Sequence, residues 1–269
     1  NLSDERLISW LHRYLELGGL PGPATQTLRS IDAPFAEARH EEVLRQTFRQ
    51  ILHDVLRRHA LRRPDELEAV ASYLLAHTAQ LSSYDSVRKK LGIGVDQVRR
   101  WSQYLEEAFL VNRLGRLHFK ASVRRRSPDK VHAGDLGLRN AAAVRSSPDL
   151  GHLAETAVHN ALLQRTGRQL FYWQGRYECD LVVKRGSATE EVLQVSVGDD
   201  DRLPERELAA LVEAAEALHA ERATLITWRQ SGRHQIAGLE VESIPLFRWL
   251  LQQGDQLALE TLDVAPPPR

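Results

Sequence analysis

Methionine is absent from this chain, and cysteine occurs once, at Cys179. A single thiol excludes an internal disulfide framework and fits a reducing cytoplasm, the compartment expected here. No apolar run approaches the roughly 20 residues of a membrane-spanning helix, so no membrane partner is expected. No secretory leader is visible at the amino terminus. The chain begins at Asn1, and with no methionine anywhere we expect a fragment preceded by further sequence. No glycine loop ending in Lys-Ser or Lys-Thr occurs, so these residues alone are not expected to hydrolyse nucleotides. None of the 11 histidines has zinc-site spacing with a cysteine partner, and no metal or other cofactor is expected in the chain itself. Ser196 lacks His and Asp partners at elbow-like spacing, which gives no support to a serine hydrolase.

What is present is ordinary in bulk and uneven in detail. The 269 residues have room for two or three modest domains. The formal net charge is zero, yet residues 84–130 hold twelve Lys/Arg against five acids. Such local asymmetry points to a polyanionic partner; the plain alternative is a solvated basic face.

Apolar spacing divides the chain. Residues 3–17 form an amphipathic pattern with Leu7, Ile8, Leu11, Tyr14 and Leu15 on one side, stopped by Gly18-Gly19-Leu20-Pro21. A long helix is expected over 38–63, and Pro64 opens another that runs to about 80. Residues 84–91 and 97–108 read as two shorter helices around a Gly92-Ile93-Gly94 turn, with Asp96 as N-cap. Val98, Trp101 and Leu105 would face inward, leaving Arg99, Arg100 and Gln103 outside. Residues 110–114 and 117–119 then read as a hairpin with a basic tip at Gly115-Arg116. This is the pattern of a winged helix. Its outward helix suits a major groove, although many winged helices dock proteins instead.

Beyond residue 150 the order is helix, three strands (170–173, 178–183, 192–197), a helix over 205–218, and a strand over 223–228. That is the order of a restriction-endonuclease core. A final helix is expected over 244–251, then a Pro266-Pro267-Pro268 tail. A metal-dependent nuclease of this kind needs Asp on one strand and Glu-x-Lys on the next, two carboxylates for the cation and a lysine for the attacking water. Here Asp180 is present, Gln194 replaces the Glu and Ser196 the Lys; period-two alternation puts 194 and 196 on one face. Glu155, on the preceding helix, is a further acidic candidate. The quartet Glu155, Asp180, Gln194 and Ser196 therefore reads as a vestigial site. Asp199, Asp200 or Asp201 offers a migrated carboxylate, against the simpler reading of an acidic loop. His152 and His159 read as a wet helix face, and Tyr172 with Trp173 as strand core rather than a base-stacking pair.

Taken in order, these motifs resemble the C-terminal region of a large family of prokaryotic AAA-type ATPases. The resemblance is carried by Gly18-Gly19-Leu20-Pro21, Gly92-Ile93-Gly94-Val95, His132-Ala133-Gly134-Asp135-Leu136-Gly137-Leu138, Gly151-His152-Leu153-Ala154-Glu155 and Glu178-Cys179-Asp180-Leu181. Leu193-Gln194-Val195, Glu205-Arg206-Glu207-Leu208 and Leu225-Ile226-Thr227 complete it, so it spans almost the whole chain. It implies an ATPase module before Asn1, which would bring ATP and Mg, and homo-oligomeric rings driven by that module.

The expected fold is thus mixed α/β. A helical linker spans 1–65, a winged helix 66–130, a restriction-endonuclease-like domain with a central mixed sheet 131–254, and a tail 255–269. The expected function is a DNA-binding, substrate-selecting region of the ATPase, on duplex or branched DNA, with the nuclease-like domain inactive and used in binding or assembly. DNA contact is expected from Arg88, Lys89, Lys90, Arg99, Arg100, Gln103, Arg113, Arg116, Arg124, Arg125 and Arg126. A protein-interaction and regulatory module is the alternative, and a residual metal-dependent nuclease the third.

Overall fold

The computed structural model describes residues 3–24, 36–143, 150–198 and 205–262. Asp199, Asp200, Asp201 and the proline tail lie outside them. The chain is mixed α/β and divides into two compact units. One comprises residues 1–114 and 126–156, the other 115–125 and 157–269. The division differs from the sequence-based domain limits: the expected linker and winged helix share one core, and residues 131–156 join them.

The first unit opens with α1 (Asp4–Leu17), which buries Ile8, Leu11 and Leu15 at helical spacing. Gly18 ends it at φ +78°, a left-handed conformation that costs glycine little. Helix α2 (Ala36–Arg58) buries Leu44, Phe48, Leu52 and Val55, and exposed i,i+4 pairs such as Glu41–Arg45 line its outer side. Pro64 occupies the first turn of α3 (Pro64–Ala76), where a missing N–H is harmless; Leu67, Val70, Ala71, Leu74 and Leu75 are fully buried.

Then follow strand β1 (Gln80–Ser82), α4 (Tyr84–Leu91), α5 (Val95–Glu107), strand β2 (Val111–Leu114), strand β3 (Asp129–Ala133) and α7 (Leu136–Ala142); the short α6 (Ala121–Arg126), between β2 and β3 in sequence, falls up to residue 125 in the second unit. Ser83 and Ser86 cap α4 reciprocally. Gly94, not Asp96, is the N-cap of α5; Asp96 sits inside the first turn and pairs with Arg99 at 3.4 Å. The three strands form an antiparallel sheet in the order β1-β3-β2. The expected hairpin between 110–114 and 117–119 does not form. Strand β2 pairs with β3, because Val131 and Ala133 bring apolar side chains to the core that buries Val111.

Two motifs 116 residues apart interlock in this unit. Asp135 caps α7 by accepting from Leu138 N at 2.9 Å, and its other oxygen accepts from Gly19 N at 2.8 Å. The last carbonyls of α1, orphaned by helix geometry, are all taken. Gly18 N donates to Tyr14 O, Asn140 Nδ2 to Leu15 O and Glu16 O, and His40 Nε2 to Leu17 O. Tyr14 is caught in the same place. Burial, and then the Asp135 carboxylate, push its phenol from 10.0 up to about 12. A pKa raised on folding contributes stability that is complete below pH 10 and lost as pH rises through the folded value. The difference across that window is about 3 kcal/mol. Tyrosinate absorbance in the native protein should therefore show Tyr14 ionising above the ordinary phenol range, and Tyr14→Phe should remove one tyrosine's share of that late rise.

Helix α8 (Leu150–Leu163) carries the chain into the second unit, where a six-stranded sheet has the order β4-β5-β6-β7-β9-β8. Strands β4 (Gln169–Gln174), β5 (Glu178–Arg185) and β6 (Ala188–Ser196) are antiparallel. Helix α9 (Glu205–Leu218) crosses to β7 (Arg222–Thr227), which runs parallel to β6. Strand β8 (Gly232–Ile236) pairs antiparallel with β9 (Leu239–Pro245), which is parallel to β7. Leu211, Ala214 and Ala215 of α9 pack with Cys179, Val182, Val192, Leu225 and Val241. The final helix, α10, is Leu246–Leu262, longer and later than expected. Residues 115–117 belong to this unit: Gly115 O accepts from Tyr172 N at 3.1 Å and Leu117 N donates to Tyr172 O at 2.7 Å.

Candidate functional site

Two groups of residues carry chemistry, one in each unit. In the first, α5 packs Val98, Trp101 and Leu105 inward and leaves Arg99, Arg100 and Gln103 exposed. Lys89 and Lys90 are exposed at the end of α4, and Arg88 is half-buried. The cations differ in how committed they are. Arg88 and Lys89 both reach Asp85, at 2.9 and 2.8 Å, and hydrogen bonds from Lys89 and then Arg88 hold that carboxyl below its usual range. Arg99 reaches Asp96 and lies over the Tyr84 ring at 5.5 Å. Lys90 and Arg100 make no ion pair among the described residues. Exposed pairs of this kind contribute little to stability, so a stronger anion can displace them.

Arg100 lines a groove of about 610 Å³. Its lining also includes His59, Arg62, Arg63, Asp96 and Gln97. His59 stacks on Tyr104 at 3.5 Å between ring centroids. Arg62 and Arg63 are not among the residues expected from the sequence, although Arg62-Arg63 before Pro64 is the visible signal: a basic pair at a helix start.

Arg113 and Arg116, both expected to touch DNA, are engaged elsewhere. The Arg113 side chain is only 8% exposed; it pairs with Asp129 at 3.3 Å and lies 4.3 Å over the Tyr84 ring. Burial raises the carboxyl pKa of both Asp129 and Glu106, and Arg113 opposes it in each case. Arg113 is therefore a structural cation. Arg116 is not at a wing tip: its guanidinium donates to Gln174 O at 2.7 Å, beside the bridge from Arg116 to Tyr172. Arg124, Arg125 and Arg126 are exposed on α6, and Arg124 donates to His118 O at 2.8 Å.

In the second unit Asp180 and Gln194 do meet. Asp180 Oδ2 accepts from Val195 N at 3.0 Å, and Gln194 Oε1 accepts from Asp180 N at 3.1 Å. Gln194 Nε2 donates to Glu207 Oε2 on α9 at 2.5 Å. The amide thus uses its oxygen on a backbone donor and its nitrogen on a carboxylate. A glutamate at 194 would set two anions side by side here, an arrangement that a bound cation relieves and a glutamine avoids. Glu207 is the partner missed in sequence, since it lies one helix beyond the strand motif. Ser196 is half-buried at the strand end. Glu155 belongs to the first unit, where it accepts from Lys130 Nζ at 2.8 Å with both side chains buried. His159, expected on a wet face, is buried. Tyr172 is fully buried, as its strand pattern requires. Among the described residues no three His, Cys, Asp or Glu side chains converge as a metal site.

Residues 8–149 match the family described as a domain of unknown function, DUF8612, and the chain belongs to that family. The matched stretch follows the first unit closely and includes α5, the groove and the Asp135 junction. No curated protein matches the chain.

Proposed function

We propose that this chain is a DNA-contacting region of an AAA-type ATPase, with a restriction-endonuclease-like second unit that has lost its metal chemistry and serves in binding or assembly. The observation that carries the reading is the exposed basic face of α5 beside the Arg62–Arg63–Arg100 groove. The order helix, strand, helix, helix, strand, short helix, strand, with sheet order β1-β3-β2, agrees with a winged helix, whose recognition helix presents such a face. In the second unit the order of α8, β4, β5, β6, α9 and β7, and the Asp180–Gln194 pairing, agree with a nuclease core in which an amide stands at a metal-ligand position. The link to an ATPase rests on the motif order in the sequence.

A direct titration tests this. Duplex, single-stranded and four-way-junction DNA should bind with an affinity that falls steeply with salt. Arg99→Glu/Arg100→Glu should weaken low-salt binding by about tenfold or more and lower the salt slope by about 2, one for each phosphate that is no longer neutralised. Arg62→Glu should act in the same direction. The DNA should remain intact in magnesium. Binding indifferent to salt and to these reversals would leave the protein-docking reading, which the Asp85 and Asp96 pairings of Arg88, Lys89 and Arg99 favour.

A further inference from the structure

We propose that Phe119 is a base-stacking residue, carried on a basic loop and directed at DNA whose bases are accessible, single-stranded or locally unpaired. This role rests on the DNA-contacting reading and adds to it the form of DNA that is preferred. Phe119 is 87% exposed, the most exposed large apolar side chain among the described residues. Leaving a phenyl ring in water forgoes the gain from burying its apolar surface.

The loop holds the ring out rather than letting it fold back. Its base is fixed to β4 through Gly115, Leu117 and Arg116, which bond to Tyr172 and Gln174. Above that, Lys120 N donates to His118 Nδ1 at 3.0 Å, and Arg124 Nη1 donates to His118 O at 2.8 Å. Val123 N and Arg124 N both donate to Lys120 O, which starts α6 directly after the ring. Little further ordering is therefore needed when a ligand arrives.

The surroundings of the ring select its ligand. Residues 116–126 contain Arg116, Lys120, Arg124, Arg125 and Arg126 and no acid. None of Lys120, Arg124, Arg125 and Arg126 makes an ion pair among the described residues. An apolar protein surface would cover one ring and desolvate several cations without return. An acidic peptide would answer the cations and leave the ring unused. A nucleic acid answers both: phosphates meet the cations, and every base offers a π-face that an aromatic side chain can stack on. In an intact duplex those faces are already stacked, so the ring adds most where a base is free.

The experiment uses the full chain and three probes: a single-stranded oligonucleotide with 2-aminopurine near its centre, the blunt duplex of the same sequence, and poly-glutamate. The wild type should bind the single strand with a change in 2-aminopurine fluorescence. Phe119→Ala should weaken that binding by about 5- to 150-fold, the range for removing one stacking partner, and should abolish the fluorescence change. Duplex affinity should stay within about twofold, and Phe119→Trp should retain the single-strand affinity. An exposed ring contributes little to folding, so the alanine variant should unfold like the wild type. Single-strand binding unchanged in Phe119→Ala would overturn the stacking role and leave the DNA reading standing. Binding to poly-glutamate as tight as to the oligonucleotide would overturn it in favour of an acidic protein partner. Absence of binding to any DNA at low salt would overturn both.

Discussion

Gly137→Ala should lower the unfolding free energy by about 3 kcal/mol, the upper range for forcing extra atoms into a packed site. A Cβ at this position would sit 2.2 Å from Leu17 O and 2.7 Å from Leu17 C, both backbone atoms. Backbone cannot rotate away, so the end of α1 would have to lift from α7. That movement would also pull Leu17 O from His40 and the Leu15 and Glu16 carbonyls from Asn140. Gly134→Ala should behave alike, since its Cβ would meet Phe109 O at 2.0 Å, where the corner after α5 crosses β3. Gly151→Ala is the control: nothing lies within 4 Å of its Cβ, and alanine is the better residue in a helix by up to about 1 kcal/mol. Urea unfolding of the three variants should separate them. A Gly137→Ala protein as stable as the wild type would mean that α1 does not hold this close approach.

The same residues mark what can be read from the sequence. Gly18-Gly19 and Gly134-Asp135-Leu136-Gly137 stand out as motifs, yet nothing local joins them; they are brought together by Asp135, which accepts from Gly19 N and Leu138 N at once. Helices with a clear apolar stripe are legible within two residues or so, as in α1, α5 and α9, because helical spacing is a local signal. Strand β3 is not. Its residues include Lys130 and His132, which are buried and look exposed on paper. Leu117-His118-Phe119 errs in the opposite direction: it alternates like a strand, but Phe119 stays in water and β2 takes Val131 and Ala133 as neighbours instead. Pairing is decided by what both strands bury together, which one strand does not reveal. In the candidate site the Asp180–Gln194 proximity follows from strand alternation, whereas the Glu207 partner depends on how α9 returns to the sheet.

The second large effect belongs to Glu191. Its side chain is 6% exposed at the start of the parallel part of the sheet, and both oxygens are used. Oε1 accepts from the Thr224 hydroxyl at 2.7 Å; Oε2 lies 3.4 Å from both Arg165 and Arg222. Arg165 has no easy substitute. Its side chain is buried, lies over the Trp249 ring, and otherwise donates to the neutral Gln253 Oε1 at 2.9 Å. Burial works against the charged form of Arg165, and the Glu191 carboxylate opposes that most strongly. Glu191→Ala would leave a guanidinium out of water with one neutral acceptor, and should cost about 3–5 kcal/mol, the range for removing one partner of a buried ion pair. Glu191→Gln should cost less, because an amide oxygen can still accept from Thr224. The comparison is Glu240→Ala: its pair with Arg233 spans 3.8 Å with both side chains exposed, and removing it should change stability by no more than about 0.5 kcal/mol. Equal denaturant midpoints for Glu191→Ala and Glu240→Ala would show that the sheet does not depend on this network. A large loss of stability confined to Glu191→Ala would identify Glu191 as the anion on which the buried Arg165 depends, linking β6 to the helix that carries Trp249 and Gln253.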